Sequence, residues 1–319
     1  METKNHLKAF FTEHWKYMAV SAACKLNIFD NLLKPKTVTK LSEELSLNPD
    51  KLLILLNALY QNGFLDKELE FFKVNSLSEY LTESTPESLK YACLNWSAEH
   101  MNAWQDLDYS IKTGKSSFEK LYGLAFFDYL NENPEKLDAY HKAMYEYAKD
   151  DYKTLLDLID FSRFRSVMDV GGSYGAVLEN IKKKNPEVEC ILFDLEQVVN
   201  NVKLNDIQTI GGSFFDNLPE VAELIILSRI LHDWNDDKSA IILQNCFEAL
   251  PIDGALLIIE NCSDKIKSDL SLLSLNMAAI CESYERSSKE YIGLAEKSNF
   301  RFQESVRLND LQTILIFKK

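Results

Sequence analysis

The chain has 319 residues, 46% of them hydrophobic and 26% charged, with a formal net charge of −14 at pH 7. That length leaves room for two domains, the composition is that of a globular protein, and so acidic a chain is a poor partner for a nucleic-acid backbone. No apolar run approaches a membrane span, and the polar start (Met1 to Lys8) is unlike a signal peptide. The six cysteines (Cys24, Cys93, Cys190, Cys246, Cys262, Cys281) are scattered without a CxxC pair, so they read as reduced thiols of a cytoplasmic protein, not as a metal or disulfide set.

Residues 7–33 carry apolar side chains at helical spacing: Leu7, Phe10, Phe11, His14, Trp15 and Met18, then Ala22, Leu26, Ile28, Phe29 and Leu32. From Thr37 the pattern is helix–turn–helix. Thr39 is expected to cap a helix over Leu41–Leu45, and Asn48-Pro49 to open a second helix that Asn62-Gly63 stops. Phe64-Leu65 and Glu70–Val74 then read as a small β-wing. The would-be recognition helix holds one basic residue, Lys51, and is crowded with leucines, while the wing carries Asp66, Glu68 and Glu70. Such a winged helix is expected to pack or dimerise and not to read a groove.

Residues 88–157 stay helical, broken at Gly114–Ser117 and dense in aromatics such as Trp96, Trp104, Phe126, Phe127 and Tyr140. Most should be core, with a few lining an apolar pocket. The expected division is 1–90 for the winged helix and 91–319 for linker helices and a catalytic domain.

Ser166 to Asp194 is the most informative stretch. Val167–Val170 is a short apolar run, Gly171-Gly172 breaks it, Val177, Leu178 and Ile181 are helically spaced, and Cys190–Phe193 finishes on Asp194. This is a βαβ unit with an acid closing each strand. The glycine turn lets a ligand approach the backbone, and Asp194 can accept both hydroxyls of a ribose. Ser173 and Ala176 occupy the second and third glycine positions of the dinucleotide fingerprint, and Asp169 suits a cation better than a pyrophosphate. S-adenosylmethionine, which carries an ammonium and a sulfonium, fits the pattern better than a dinucleotide.

Further strands follow at Thr209-Ile210, Leu224–Leu227 and Ala255–Ile259, with a helix over Asp237–Leu250. The alternation means a parallel, doubly covered sheet, and the tight turn Asn309-Asp310 joins two antiparallel tail strands. Between them, Leu227-Ser-Arg-Ile-Leu-His-Asp-Trp-Asn-Asp-Asp237 places His232 just beyond a strand's carboxyl end, where such sheets bind their ligands. A neutral imidazole there can take a proton from a phenolic or enolic hydroxyl. Glu260, ending the next strand, could orient the imidazole, or be a solvated strand terminus. Asp233, Asp236 and Asp237 read as a helix start in preference to a Mg²⁺ site.

These blocks resemble the winged-helix-containing S-adenosylmethionine-dependent O-methyltransferases, which include plant caffeate- and flavonoid-type and bacterial secondary-metabolite enzymes. Asp-Val-Gly-Gly-Ser-Tyr-Gly (169–175) is similar to the family's glycine motif, Phe-Asp-Leu (193–195) to its ribose segment, Leu-His-Asp-Trp-Asn-Asp (231–236) to its catalytic-histidine block, and Glu285-Arg286-Ser287 to its late Glu-Arg-Thr. The resemblance nearly spans the chain. It implies an α/β, Rossmann-like class I methyltransferase sheet, mostly parallel with an antiparallel C-terminal hairpin, and an N-terminal helical, winged-helix dimerisation domain. It implies S-adenosylmethionine held by Asp169, Gly171, Gly172, Gly175, Asp194, Leu195, Ser213, Phe214, Ser228, Arg229 and Trp234. It also implies His232 as general base bracketed by Glu260 and Glu285, no metal, a small hydroxyl acceptor and a homodimer. Gly211-Gly212-Ser213-Phe214 departs from the family's usual acid, since a serine hydroxyl replaces only part of an acid's contacts to adenine. Ser228 stands where plant members carry lysine. Two other readings stay open: the fold reused for hydroxylation or decarboxylation with the cofactor unreacted, or a DNA-binding regulator.

Overall fold

A computed structural model describes residues 2–264 and 268–319, which separate into two units, Met1–Glu99 and His100–Lys319. In the first, the helix Val38–Leu45 starts directly after Thr37, whose side chain accepts the Lys40 amide at 3.3 Å. Thr37 and not Thr39 is therefore the cap, because Thr37 is extended where strand β1 (Lys36–Thr37) ends. Asn48 does cap the helix Pro49–Gln61, accepting the Lys51 amide at 3.0 Å with Pro49 in the first turn. Strands β2 (Asp66–Glu68) and β3 (Phe71–Lys73) complete a three-stranded antiparallel wing in the order β1-β3-β2. Phe64-Leu65 is not a strand: Leu65 is instead buried with Leu41, Leu52, Leu56, Leu59 and Phe72. The helix Lys90–Trp96 belongs to this unit, held to the helix His14–Lys25 by Tyr17 donating to the Cys93 carbonyl at 2.7 Å and by the Ser21–Ser97 hydroxyl pair.

The second unit is built on seven strands: β4 (Ser166–Val170), β5 (Glu189–Asp194), β6 (Ile207–Gly211), β7 (Leu224–Ser228), β8 (Ala255–Asn261), β9 (Arg301–Arg307) and β10 (Gln312–Lys318). Their order is β6-β5-β4-β7-β8-β10-β9, with the first five parallel and β10 antiparallel to both neighbours. Side chains alternate between two cores. Met168, Ile191, Phe193, Leu256 and Ile258 face one side; Val167, Leu192, Leu257 and Ile259 face the other. Helices cover both faces, Asp236–Ala249 and Ser288–Lys297 on the first and Ala176–Lys184 on the second. Burial on both faces explains why the central strands read as unbroken apolar runs. Each Leu or Ile so buried contributes roughly 1.5–3 kcal/mol, so the sheet can carry several buried acids at its carboxyl edge.

The chain order reverses between β4 and β7, which opens a crevice at the carboxyl ends of those strands. The helices Phe126–Glu132 and Pro134–Asp151 supply side chains to it. The expected break before them is present: Gly114 closes one helix in the left-handed region, and Ser116 caps the next by accepting the Glu119 amide. Among the described residues no helix is long and apolar enough to cross a membrane.

Candidate active site

A cavity of about 220 Å³ opens over the ends of β4, β5 and β7. The chain leaves β4 through Gly171 (φ +74°), whose amide donates to the Phe193 carbonyl at 2.8 Å. A Cβ at Gly171 would collide with Ile230, and one at Gly172 would lie 2.6 Å from Asp169 Oδ2. Both positions therefore require glycine, and the cradle they leave is backbone-walled. Ser173 follows in the left-handed region (φ 56°). Its amide donates to Asp194 Oδ2 at 2.8 Å, and its hydroxyl pairs with His141 Nδ1 at 2.7 Å. Strained backbone held by such bonds is a mark of ligand sites.

The expected cofactor residues fall into two groups. Gly171, Asp194, Leu195, Ser213, Phe214, Arg229 and Trp234 line the cavity. Asp169, Gly172, Gly175 and Ser228 are not among its lining residues. Asp169 sits one residue before the end of β4 and is buried beneath Gly172, with Oδ1 lacking a hydrogen-bond partner. Gly175 starts the helix Ala176–Lys184, and Ser228 donates to the Tyr152 hydroxyl at 2.5 Å. The Ser213 hydroxyl accepts the Phe215 amide at 3.2 Å, so part of its capacity is spent on its own turn.

Five further lining residues, Asp128, Asn131, Leu137, Tyr140 and His141, had not been singled out for this cavity. Leu137, Tyr140 and His141 stand at i, i+3 and i+4 of one helix, a spacing that marks a shared face once one member is known to face a ligand. Trp234 stacks on Phe127 with ring centroids 5.3 Å apart and meets Phe215 edge-on at 4.8 Å. Beyond this aromatic wall lies a second cavity of about 450 Å³, lined in part by Phe126, Phe127, Phe215, Ile241 and Ile280.

The electrostatics of the cavity suit a cation. Burial, with Asp194 beside it, pushes Asp169 up to about 7. Burial pushes Asp194 up to about 6, despite amide bonds from Leu195 and Ser173. Acids raised in this way lack a positive partner. S-adenosylmethionine presents an ammonium and a sulfonium, and the orphaned Asp169 Oδ1, the backbone cradle and Asp194 fit that group.

His232 lies in the short turn Leu231–Asp233 after β7 and is buried. Glu285 accepts a hydrogen bond from its Nδ1 at 3.0 Å and takes another from Asn261 at 3.2 Å. That leaves Nε2, 3.6 Å from Asp233 Oδ1, as the outward nitrogen. Glu260 is placed differently from the expected bracket around the imidazole. Its Oε1 accepts the backbone amides of Ile230, Leu231 and His232 at 3.0, 2.8 and 3.3 Å, because Arg229 turns left-handed (φ 56°) and folds those three N–H groups over the end of β8. Glu260 thus holds the turn, and Glu285 holds the ring. Arg286, fully buried, clamps the same turn from below by donating to the carbonyls of Leu231 (2.9 Å) and Trp234 (2.8 Å) and to Asp236 (2.8 Å).

Burial works to lower His232, as does Arg229; Asp233, with Glu285 and Glu260, outweighs them together, and the imidazole ends at about 9. Glu285 is the counterpart: burial would raise it, but His232, Arg229 and Asn261 bring it down to about 2. Glu260 rises to about 7 through burial, eased by His232 and Arg229. Among the described residues, His232, Glu260 and Glu285 are the one group of acids and imidazole close enough to share an ion; within it Nδ1 of His232 is bonded to Glu285, and Oε1 of Glu260 to three backbone amides.

Comparison with known proteins assigns the architecture. The chain matches the model of the O-methyltransferase domain over residues 104–301 and that of the O-methyltransferase dimerisation domain over residues 9–84. It is 30% identical over 309 residues to the phenazine O-methyltransferase PhzM of Lysobacter antibioticus, spanning 93% of this chain and 91% of that protein. The crystal structure of LaPhzM superposes with a TM-score of 0.94 at 29% identity over 99% of both chains. Human N-acetylserotonin methyltransferase, solved in complex with S-adenosylmethionine, shares the fold at a TM-score of 0.92 and 24% identity, over 100% of this chain and 98% of that one. With both domains matched and a relative 30% identical over 93% of its length, this chain belongs to the S-adenosylmethionine-dependent O-methyltransferases.

Proposed function

We propose that the chain methylates a hydroxyl of a flat aromatic metabolite, with His232 as general base. The observation that carries this is the His232–Glu285 bond at 3.0 Å, which fixes the tautomer with a proton on Nδ1 and leaves Nε2 to accept one. S-adenosylmethionine supplies an electrophilic methyl group on a positively charged sulfur. The residues of the chain do the rest. Asp169 and Asp194 hold the cationic and ribose ends, and Glu260 and Arg286 fix the turn that carries the base. His232 takes the hydroxyl proton as the oxygen becomes nucleophilic, a contribution of about 10²–10⁴-fold. Repulsion from the donor's charge acts in the same sense as Arg229, toward a neutral imidazole.

An aromatic acceptor is supported by the walls of Phe126, Phe127, Phe215 and Trp234 and by the phenazine named for the relative PhzM. The N-terminal unit would make a cytoplasmic homodimer, supported by the matched dimerisation domain and by Phe10 and Trp15, which are 62% and 64% exposed. The test is transfer of a labelled methyl group to a panel of phenols. His232→Ala should abolish it, with donor affinity within about threefold of the parent; an alanine variant that still turns over removes His232 from the role.

A further inference from the structure

We propose that Arg229 is a positioning residue for methyl transfer, its guanidinium being the counter-charge that holds the Glu260 and Glu285 carboxylates in place around His232. Nothing in the family resemblance gives it that task, and the inference rests on His232 being the base.

Two buried groups near the base are incomplete. Glu260 Oε2 and Arg229 Nε each lack a hydrogen-bond partner, and they lie 4.0 Å from each other. A buried charge left unmatched is costly, and a pair of opposite charges at that distance offsets the cost of both. Arg229 is also the one lysine or arginine among the described residues lining the donor cavity. Its side chain thus both lines the cavity and approaches the Glu260 carboxylate. The groups facing it come from three elements: Glu260 on β8, Glu285 after the helix Ser268–Ile280, and Asp151 with Tyr152 at the end of the helix Pro134–Asp151.

The left-handed turn at Arg229 makes this possible. It brings the next three amides onto Glu260 Oε1, while the side chain reaches Oε2 of the same carboxylate. One residue thus sets the backbone and the charge together. Around His232 stand three carboxyls, Asp233, Glu285 and Glu260; Arg229 is the cation set against them, while Arg286 is spent on the Leu231 and Trp234 carbonyls and on Asp236. Without Arg229 the cluster holds a proton, on the imidazole or on Glu260, up to a higher pH. On the imidazole that proton blocks the base; on Glu260 it turns an acceptor of amides into a donor and loosens the turn. Either way, less of the enzyme is competent at neutral pH and more of it at alkaline pH.

The experiment is the pH profile of kcat/KM for methyl transfer in the full-length protein, comparing Arg229→Met, Arg229→Lys, Glu260→Gln and the double variant Arg229→Met/Glu260→Gln. The acidic limb of Arg229→Met should move up by roughly one pH unit or more, as expected when a neighbouring charge is removed, with activity recovered at high pH. Arg229→Lys should keep the parental limb. The double variant, which buries neither charge, should return the limb toward the parent. A folded Arg229→Met enzyme with an unmoved limb overturns the inference. If that variant does not fold, a double variant whose limb stays displaced overturns it equally. Retained activity in His232→Ala would instead overturn the base, so the two failures are distinguishable.

Discussion

Binding of the methyl donor should be strongly pH-dependent, for reasons that lie in two buried acids. In the free protein Asp169 is raised to about 7 and Asp194 to about 6, chiefly by burial. A cationic ligand favours the ionised form of each, so binding expels whatever proton each carries. With both carboxyls far below pH 5.5 in the complex, lowering the pH from about 7.5 to about 5.5 weakens binding about 25-fold through Asp169 and about fourfold through Asp194. The product is about 100-fold, or about 2.7 kcal/mol. Titration calorimetry of S-adenosylmethionine at the two pH values, in buffers of different ionisation heat, measures the affinity and the protons released. It is best done on His232→Ala, so that the imidazole contributes nothing. Asp169→Asn should reduce the dependence to about fourfold. A dissociation constant unchanged within threefold, with no proton release at the lower pH, would refute the placing of these acids against the donor, Asp169 at its cationic end and Asp194 at its ribose. The sign for the empty protein is the opposite. A carboxyl raised by folding contributes stability that is present below the ordinary aspartate value and lost as pH rises through about 6 to 7.

Arg286→Met removes the bonds to the carbonyls of Leu231 and Trp234 and to Asp236, and should cost about 2–4 kcal/mol, seen as a lower midpoint in thermal unfolding; an unchanged midpoint would show that the clamp is idle. Trp15→Asp puts a charge on the most exposed aromatic of the first unit. It should shift the sedimentation coefficient toward the monomer with little change in thermal stability, and a variant that sediments like the parent would exclude this face from the dimer.

Local chemistry made much of this legible in the sequence. The strand–glycine–helix–strand unit from Ser166 to Asp194 depends on neighbours in the chain, and so did the capping of Pro49–Gln61 by Asn48. The Thr37 cap was misplaced because it depends on β1 pairing with β3, a contact across 34 residues that no local pattern announces. The task of Glu260 was hidden for a similar reason. Its position at a strand end suggested a partner for the imidazole, but the left-handed turn at Arg229 gives it three amides instead. Non-glycine residues in that conformation are seldom evident from residue type. Glu285 lies 53 positions from His232, and only the family resemblance linked them. Tyr140 read as one of the aromatics that are core or pocket wall, and His141 was not singled out; both line the donor cavity.

One imbalance of charge serves both halves of the site. Around the crevice the chain gathers Asp169 and Asp194 at the ends of β4 and β5, and Asp233, Glu260 and Glu285 about His232, with Arg229 against them and Arg286 paired to Asp236 and two carbonyls of the turn. In the empty protein the excess is borne as protonation: Asp169, Asp194 and Glu260 are all held above their ordinary values, and His232 keeps its proton. A donor of net charge +1, its sulfonium and ammonium outnumbering its carboxylate, relieves the first two acids and adds to the repulsion felt by the imidazole. Donor binding and readiness of the base are then coupled through the same field, with Arg229 lining the cavity and approaching Glu260. Neutral S-adenosylhomocysteine-like products lack the sulfonium charge, so the same field favours exchange of product for a fresh, charged donor.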